Sequence, residues 1–128
     1  MFGLLVGDAL GVPYEFHRPD ELPDRDQIEM DPPPGFHRAH RDAPPHAWSD
    51  DGAQALCLLE SLLECGRLDP ADLADGLLLW KREGLWAVDG VVFDCGSTTA
   101  RALARIAAGV PALEAGPAGE GDNGNGAL

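Results

Sequence analysis

A chain of 128 residues allows one domain at most, and its 45% hydrophobic content is enough to build a core. With 22 acidic against 9 basic residues the net charge is −13, which excludes the basic stripe of a DNA- or RNA-binding surface. A phosphate-bearing ligand would be repelled as well, unless cations bound to the protein offset the field locally.

Residues 2–11 carry Leu4, Leu5, Ala9 and Leu10 at helical spacing. Gly3, Gly7 and Gly11 stand four apart, which predicts a helix approached closely by another backbone. Gly11 and Pro13 should end it, with Asp8 inside and Glu15 just beyond, beside Tyr14 and Phe16. On position alone both carboxylates read equally well as surface charge. The N-terminus lacks the basic region of a signal peptide. No apolar run nears the roughly 20 residues of a membrane span, and a cytoplasmic protein is expected. Met1-Phe2-Gly3 enters the helical pattern uncapped, and the sequence stops at Ala127-Leu128 after a glycine-rich loop, so a fragment or truncated product is expected.

Residues 17–47 hold Pro19, Pro23, Pro32 to Pro34, Pro44 and Pro45, which disfavour helix and impose extended or turn backbone. All four histidines, His17, His37, His40 and His46, fall here. Proline-rich irregular backbone fixes metal ligands poorly, so a solvated loop is favoured over a histidine cluster, with a lid over a site as a further reading.

Trp48-Ser49-Asp50-Asp51 follows, a hydroxyl and two adjacent carboxylates where a helix begins. Adjacent carboxylates repel each other, and a helix N-terminus or a hard divalent cation relieves the repulsion. Plain N-capping by Ser49 or Asp50 accounts for the tetrapeptide by itself. Hydroxyl and carboxylate oxygens are equally what Mg²⁺, Mn²⁺ or Ca²⁺ prefers.

From Asp51 to about Cys65, Ala55, Leu56, Leu59, Leu62 and Leu63 form one helical face that Gly66 closes. Asp69-Pro70 reads as an N-cap followed by proline in the first turn. Leu73, Leu77, Leu78 and Trp80 make the next stripe, ending in Lys81, Arg82 and Gly84, where cations suit the helix dipole. Val91-Val92-Phe93 is too short to assign. Gly96-Ser97-Thr98-Thr99 opens a fourth helix with Leu103 and Ile106 inward and Gly109 as its stop. Cys57, Cys65 and Cys95 are odd in number without Cys-x-x-Cys spacing, so buried reduced thiols are expected rather than zinc or disulfides. Four helices with short turns and no convincing strand give an all-α fold.

Three acidic or glycine-rich elements thus recur at helix ends: Gly7-Asp8-Ala9-Leu10-Gly11 with Glu15, Ser49-Asp50-Asp51, and Gly124-Asn125-Gly126. Oxygen ligands beside backbone that a ligand can approach closely suit a metal-dependent site for a phosphorylated ribose. In order and spacing these elements, with Val12-Pro13-Tyr14-Glu15 and Cys95-Gly96-Ser97-Thr98-Thr99 followed by Arg101-Ala102-Leu103, resemble the ADP-ribosylglycohydrolase family. That family is typified by dinitrogenase reductase-activating glycohydrolase, and the likeness runs over nearly the whole chain.

The resemblance implies an orthogonal all-α domain of which residues 1–128 are the N-terminal part, with 17–47 a proline-rich loop within it. It implies two Mg²⁺ or Mn²⁺ ions in a cleft, with Ser49, Asp50, Asp51 and Glu15 at the metals. The implied activity is hydrolysis of the N- or O-glycosidic bond of an ADP-ribosylated protein or of an ADP-ribose-type small molecule. Glu15, Asp50 and Asp51 are the implied catalytic carboxylates, with the base for water open between Glu15 and a metal-bound aspartate. Gly96, Ser97 and Thr98, with Gly124, Asn125 and Gly126, would line the ADP-ribose pocket. Two departures stand out. Position 52 is Gly where many relatives have threonine, and no Asp-x-Asp-Thr, the family's second ligand motif, occurs in the sequence. Residues 1–128 are therefore expected to be inactive alone, and a non-catalytic relative with a binding or structural role is the competing reading.

Overall fold

The computed structural model describes residues 1–120 and 122. Five α-helices follow in chain order: α1 (Phe2–Gly11), α2 (Asp50–Cys65), α3 (Pro70–Glu83), α4 (Ser97–Ala107) and the single turn α5 (Ala112–Ala115). Three 3₁₀ turns, Val12–Tyr14, Arg25–Gln27 and Val88–Gly90, punctuate the connections. There is no strand among the described residues, so the fold is all-α, with one more short helix than the sequence pattern predicts. No helix among them is long and apolar enough to cross a membrane.

Local chemistry sets most boundaries. Asp69 accepts from the backbone N–H groups of Ala71 (3.1 Å) and Asp72 (3.4 Å), and Pro70 fills the first helical position, so α3 begins where the sequence places it. Gly66 ends α2 in the left-handed region (φ 65°), its N–H returning to the carbonyl of Leu62 at 3.0 Å. Gly84 does the same for α3 (φ 76°), and a Cβ there would run into the carbonyl of Gly90.

α2 packs most extensively on α3, α1 lies against α2, and α4 joins α3 to α5. The core is built from Ala53, Cys57, Trp80 and Leu103, with Trp48, Leu73, Leu77, Leu78 and Ile106 packed around it. Trp80 and Leu103 are inward as their patterns predict.

Two expectations are corrected. The face that α2 buries is the small-residue ridge Ala53, Cys57 and Ser61, while Leu62 and Leu63 are 38% and 74% exposed. Small side chains bring the α3 backbone close, and the Cys57 thiol lies 3.7 Å from the Gly76 carbonyl. Leu58, Leu59 and Leu62 instead flank an open apolar groove of about 390 Å³ with Met1, Leu4, Leu73 and Leu77. Gly3, Gly7 and Gly11 have open space where a Cβ would stand, so no close backbone approach uses them among the described residues.

The segment between Glu15 and Asp50 is irregular apart from Arg25–Gln27, as its prolines require. It is tied down all the same. The Tyr14 hydroxyl donates to the carbonyl of Glu29 (2.8 Å) and accepts from its N–H (3.1 Å). Phe36 packs on the rings of Tyr14 and His17, and the N–H of Ala39 donates to the Pro13 carbonyl at 2.8 Å. These contacts deliver the next residue, His40, to Glu15.

Candidate functional site

The site assembles where the end of α1, the start of α2 and the start of α4 meet. At α2 the cap is not local. Ser49 occupies the N-cap position but makes no side-chain capping bond. Asp8, from α1, accepts from the Ser49 N–H (3.0 Å), the Ser49 hydroxyl (2.8 Å) and the Gly52 N–H (2.7 Å). A carboxylate from another helix therefore satisfies the first turn of α2 and suits its dipole. It also takes the Ser49 hydroxyl proton, leaving that oxygen's lone pairs for another partner.

Asp50 is 2% exposed, a burial rare for a carboxylate. Burial first, then the charges of Asp51 and Asp94, push its carboxyl up to about 6 against a partial offset from the Gly96 backbone N–H. Gln54 donates to it at 3.2 Å. The Gly96 contact seats Asp50 at the entrance of α4, beside Ser97 and Thr98, so the predicted metal and substrate segments adjoin.

Glu15 also neighbours Asp94. Its carboxylate meets the His40 imidazole, Nε2 to Oε2, at 2.7 Å, and the same nitrogen is 3.7 Å from Oδ2 of Asp94. Burial raises the pKa of Glu15; the His40 hydrogen bond opposes this and the Asp94 carboxyl adds to it. His40 is held between the rings of Phe16 and Phe93, with centroids 5.3 and 5.2 Å away. Phe16, His40 and Asp94 all adopt left-handed backbone (φ 62°, 47° and 49°), at a cost of about 1–3 kcal/mol each that packing must offset.

Glu15 and Asp50 thus converge on a common neighbour, Asp94. Gly96 borders the same region, Thr98 lines an apolar cavity of about 490 Å³ with Gln54, Leu73 and Leu103, and Gly124, Asn125 and Gly126 lie outside the described residues. Two members of the site, His40 and Asp94, were not singled out by the sequence. His40 was read as part of a solvated loop, whereas its side chain is only 15% exposed. Asp94 carries a local signal, an acidic residue directly before the Cys95-Gly96-Ser97-Thr98-Thr99 motif. Asp8 was left open between surface charge and a role in the site; its three hydrogen bonds tie it to the first turn of α2.

A divalent cation fits this donor set. Four carboxylates, Glu15, Asp50, Asp51 and Asp94, are gathered here beside the His40 imidazole, and burial and neighbouring acidic groups push Glu15 and Asp50 toward protonation. The ligand atoms of Glu15, His40 and Asp94 lie within 4.8 Å of one another, a candidate metal-binding triad.

The family model for ADP-ribosylglycohydrolase matches residues 1–128. The chain belongs to the ADP-ribosylglycohydrolase family. Its relatives include ADP-ribosylarginine hydrolase Tri1 of Serratia proteamaculans (strain 568), 38% identical over 103 residues, and its namesake in Pseudomonas putida (strain GB-1), 35% identical over 103 residues. Each match covers 80% of this chain and 26% of the relative, so the chain spans about a quarter of the length of these ADP-ribosylglycohydrolase relatives. Metal dependence is general in the family, which agrees with a site built from crowded carboxylates.

Proposed function

We propose that this chain supplies the N-terminal ligands and carboxylates of a metal-dependent hydrolase that cleaves the glycosidic bond joining ADP-ribose to a protein side chain, arginine by likeness to its relatives. The observation that carries the reading is the convergence of Glu15 and Asp50 on Asp94. Mg²⁺ or Mn²⁺, two ions in the complete fold, would be held by Ser49, Asp50 and Asp51 with Glu15 at their edge. When bound, such ions anchor the ligand and lower the pKa of water.

The side chains account for the rest. Asp8 turns the Ser49 hydroxyl proton away from the cleft and fixes the first turn of α2. Asp50, committed to Gln54 and Gly96, serves as a fixed anion. Glu15, with its side chain 31% exposed, or a metal-bound aspartate would take a proton from water attacking the anomeric carbon. The gathered negative charge stabilises the oxocarbenium character that develops as the bond to the side chain breaks. Gly96, Ser97 and Thr98 would contact the ADP-ribose.

Mn²⁺-dependent binding of ADP-ribose, measured by calorimetry, tests the reading. We expect binding that Asp50→Asn weakens at least about tenfold; binding indifferent to that change would overturn it. Release of ADP-ribose from ADP-ribosyl-arginine should be absent with residues 1–128 alone, because the second ligand motif is not among them and Mg²⁺ demands near-octahedral oxygen geometry. The second reading, a non-catalytic binding relative, is favoured by one observation. A Cβ at Gly52 would stand 2.7 Å from the Trp48 ring, so the threonine of many relatives has no room here. ADP-ribose binding without turnover in the complete protein would select it.

A further inference from the structure

We infer that Glu15, His40 and Asp94 form a mononuclear site for a divalent transition-metal ion of the Zn²⁺ or Co²⁺ type, selected against Mg²⁺ by the imidazole. The inference stands on these three side chains and does not depend on the hydrolase reading. Ligands bound about 2.1 Å from one ion stand about 3–4 Å apart. The Nε2 of His40 is 2.7 Å from Glu15 and 3.7 Å from Asp94, so a cation entering between them needs only small side-chain shifts.

The donor set decides the class of ion. Mg²⁺ keeps to oxygen ligands and water, whereas imidazole with carboxylates suits Zn²⁺, Co²⁺ and their neighbours. The three donors come from three separate segments: the exit of the Val12–Tyr14 turn, the 17–47 loop, and the approach to α4. Phe16 and Phe93 wall the imidazole on two sides, which limits its rotation and lowers the local dielectric. Ligand atoms of all three side chains lie within 4.8 Å of one another. Three protein ligands leave positions open for water or a ligand oxygen.

This assigns to His40 a role that capping or loop packing does not require, and His46 supplies the control. It forms a comparable pair with Asp31 at 2.9 Å, but its side chain is 52% exposed and no third ligand joins it among the described residues. The experiment is a titration of the whole chain with Co²⁺, followed by its visible absorption. We expect one saturable site per chain, emptied by Zn²⁺ and retained in a large excess of Mg²⁺. His40→Gln and Asp94→Asn should each weaken Co²⁺ at least about tenfold, and His46→Gln should leave it within about twofold. No saturable site, displacement by Mg²⁺ as readily as by Zn²⁺, or unchanged affinity in His40→Gln would each overturn the assignment. Should a variant lose its helical circular dichroism, X-ray absorption of the Zn²⁺-loaded native chain decides instead: imidazole scattering supports the site and an all-oxygen shell refutes it. Failure here with Mn²⁺-dependent ADP-ribose binding intact removes this site alone, while the converse removes the hydrolase reading alone.

Discussion

Asp8 and Ser49, 41 residues apart, are joined twice: the Asp8 carboxylate accepts both the backbone N–H and the hydroxyl of Ser49. One aspartate in α1 therefore does what a local side chain does for most helices, and couples the position of α1 to the first turn of α2. Asp8→Ala removes three acceptor contacts and leaves the Ser49 and Gly52 donors without a partner. We expect a loss of about 2–3 kcal/mol in urea unfolding. Asp8→Asn keeps one acceptor oxygen and should recover about half. Mn²⁺ affinity should fall about 10- to 100-fold in Asp8→Ala, as for other groups that orient a metal ligand. Stability unchanged within 0.5 kcal/mol, on the order of a plain surface substitution, would show the contact to be incidental.

The helices were legible because their ends are written locally. Asp69-Pro70, Gly66 and Gly84 need no distant partner to act. The buried face of α2 was not legible, since the leucines dominate the periodic pattern while the contact is made by Ala53, Cys57 and Ser61. Small residues carry little hydrophobic signal, and their role as a close-packing ridge shows only once α3 is in place. Glu15, Ser49, Asp50 and Asp51 emerged from motif order. His40 did not, because its place depends on the Tyr14–Glu29 and Ala39–Pro13 hydrogen bonds, which span 15 and 26 residues respectively and leave no periodic trace.

Asp50 should make the metal-free protein less stable as pH rises. Its carboxyl titrates near 3.8 in the unfolded chain and at about 6 in the native one, so the native state binds the proton more tightly. Stability is then highest below the unfolded value and declines as pH climbs toward and through 6. The displacement corresponds to roughly 3 kcal/mol at about 1.4 kcal/mol per tenfold. Asp50→Asn should therefore unfold at higher urea than the native chain at pH 7.5 in chelator, and the two should converge by pH 4. Added Mn²⁺ should reverse their order at pH 7.5, because the asparagine gives up the ligand. Parallel unfolding curves from pH 4 to 7.5 would exclude a buried charged carboxylate.

Gly52 is fixed by space. An added Cβ would meet three Trp48 ring and Cβ atoms at 2.7–2.8 Å, and Trp48 is itself held by its indole N–H donating to the Trp86 carbonyl at 2.8 Å. Gly52→Thr should cost about 1–3 kcal/mol despite the better helix propensity of most residues over glycine. The change should also break the Trp48–Trp86 bond, which a red shift in tryptophan fluorescence would report. In a Trp48→Ala background the penalty of the second substitution should shrink by more than half, giving a coupling that a double-mutant cycle reads directly. Additive effects would mean the two positions do not compete for volume.

Tyr14 anchors the segment that carries His40, and its hydroxyl is used twice, as donor and as acceptor, on the backbone of Glu29. Tyr14→Phe keeps the ring packed on Phe36 and deletes both bonds, at about 1–2 kcal/mol. Since the contacts are local to the 17–47 loop, the loss should appear first as opening of that loop and only later as global unfolding. Limited trypsin digestion should cleave at Arg25 or Arg41 several-fold faster in Tyr14→Phe while cleavage at Lys81 and Arg82, inside α3, stays unchanged. Acceleration at all four positions together would instead mean that Tyr14 supports the helical core, and that the loop is held by the Ala39–Pro13 and Phe36 contacts without it.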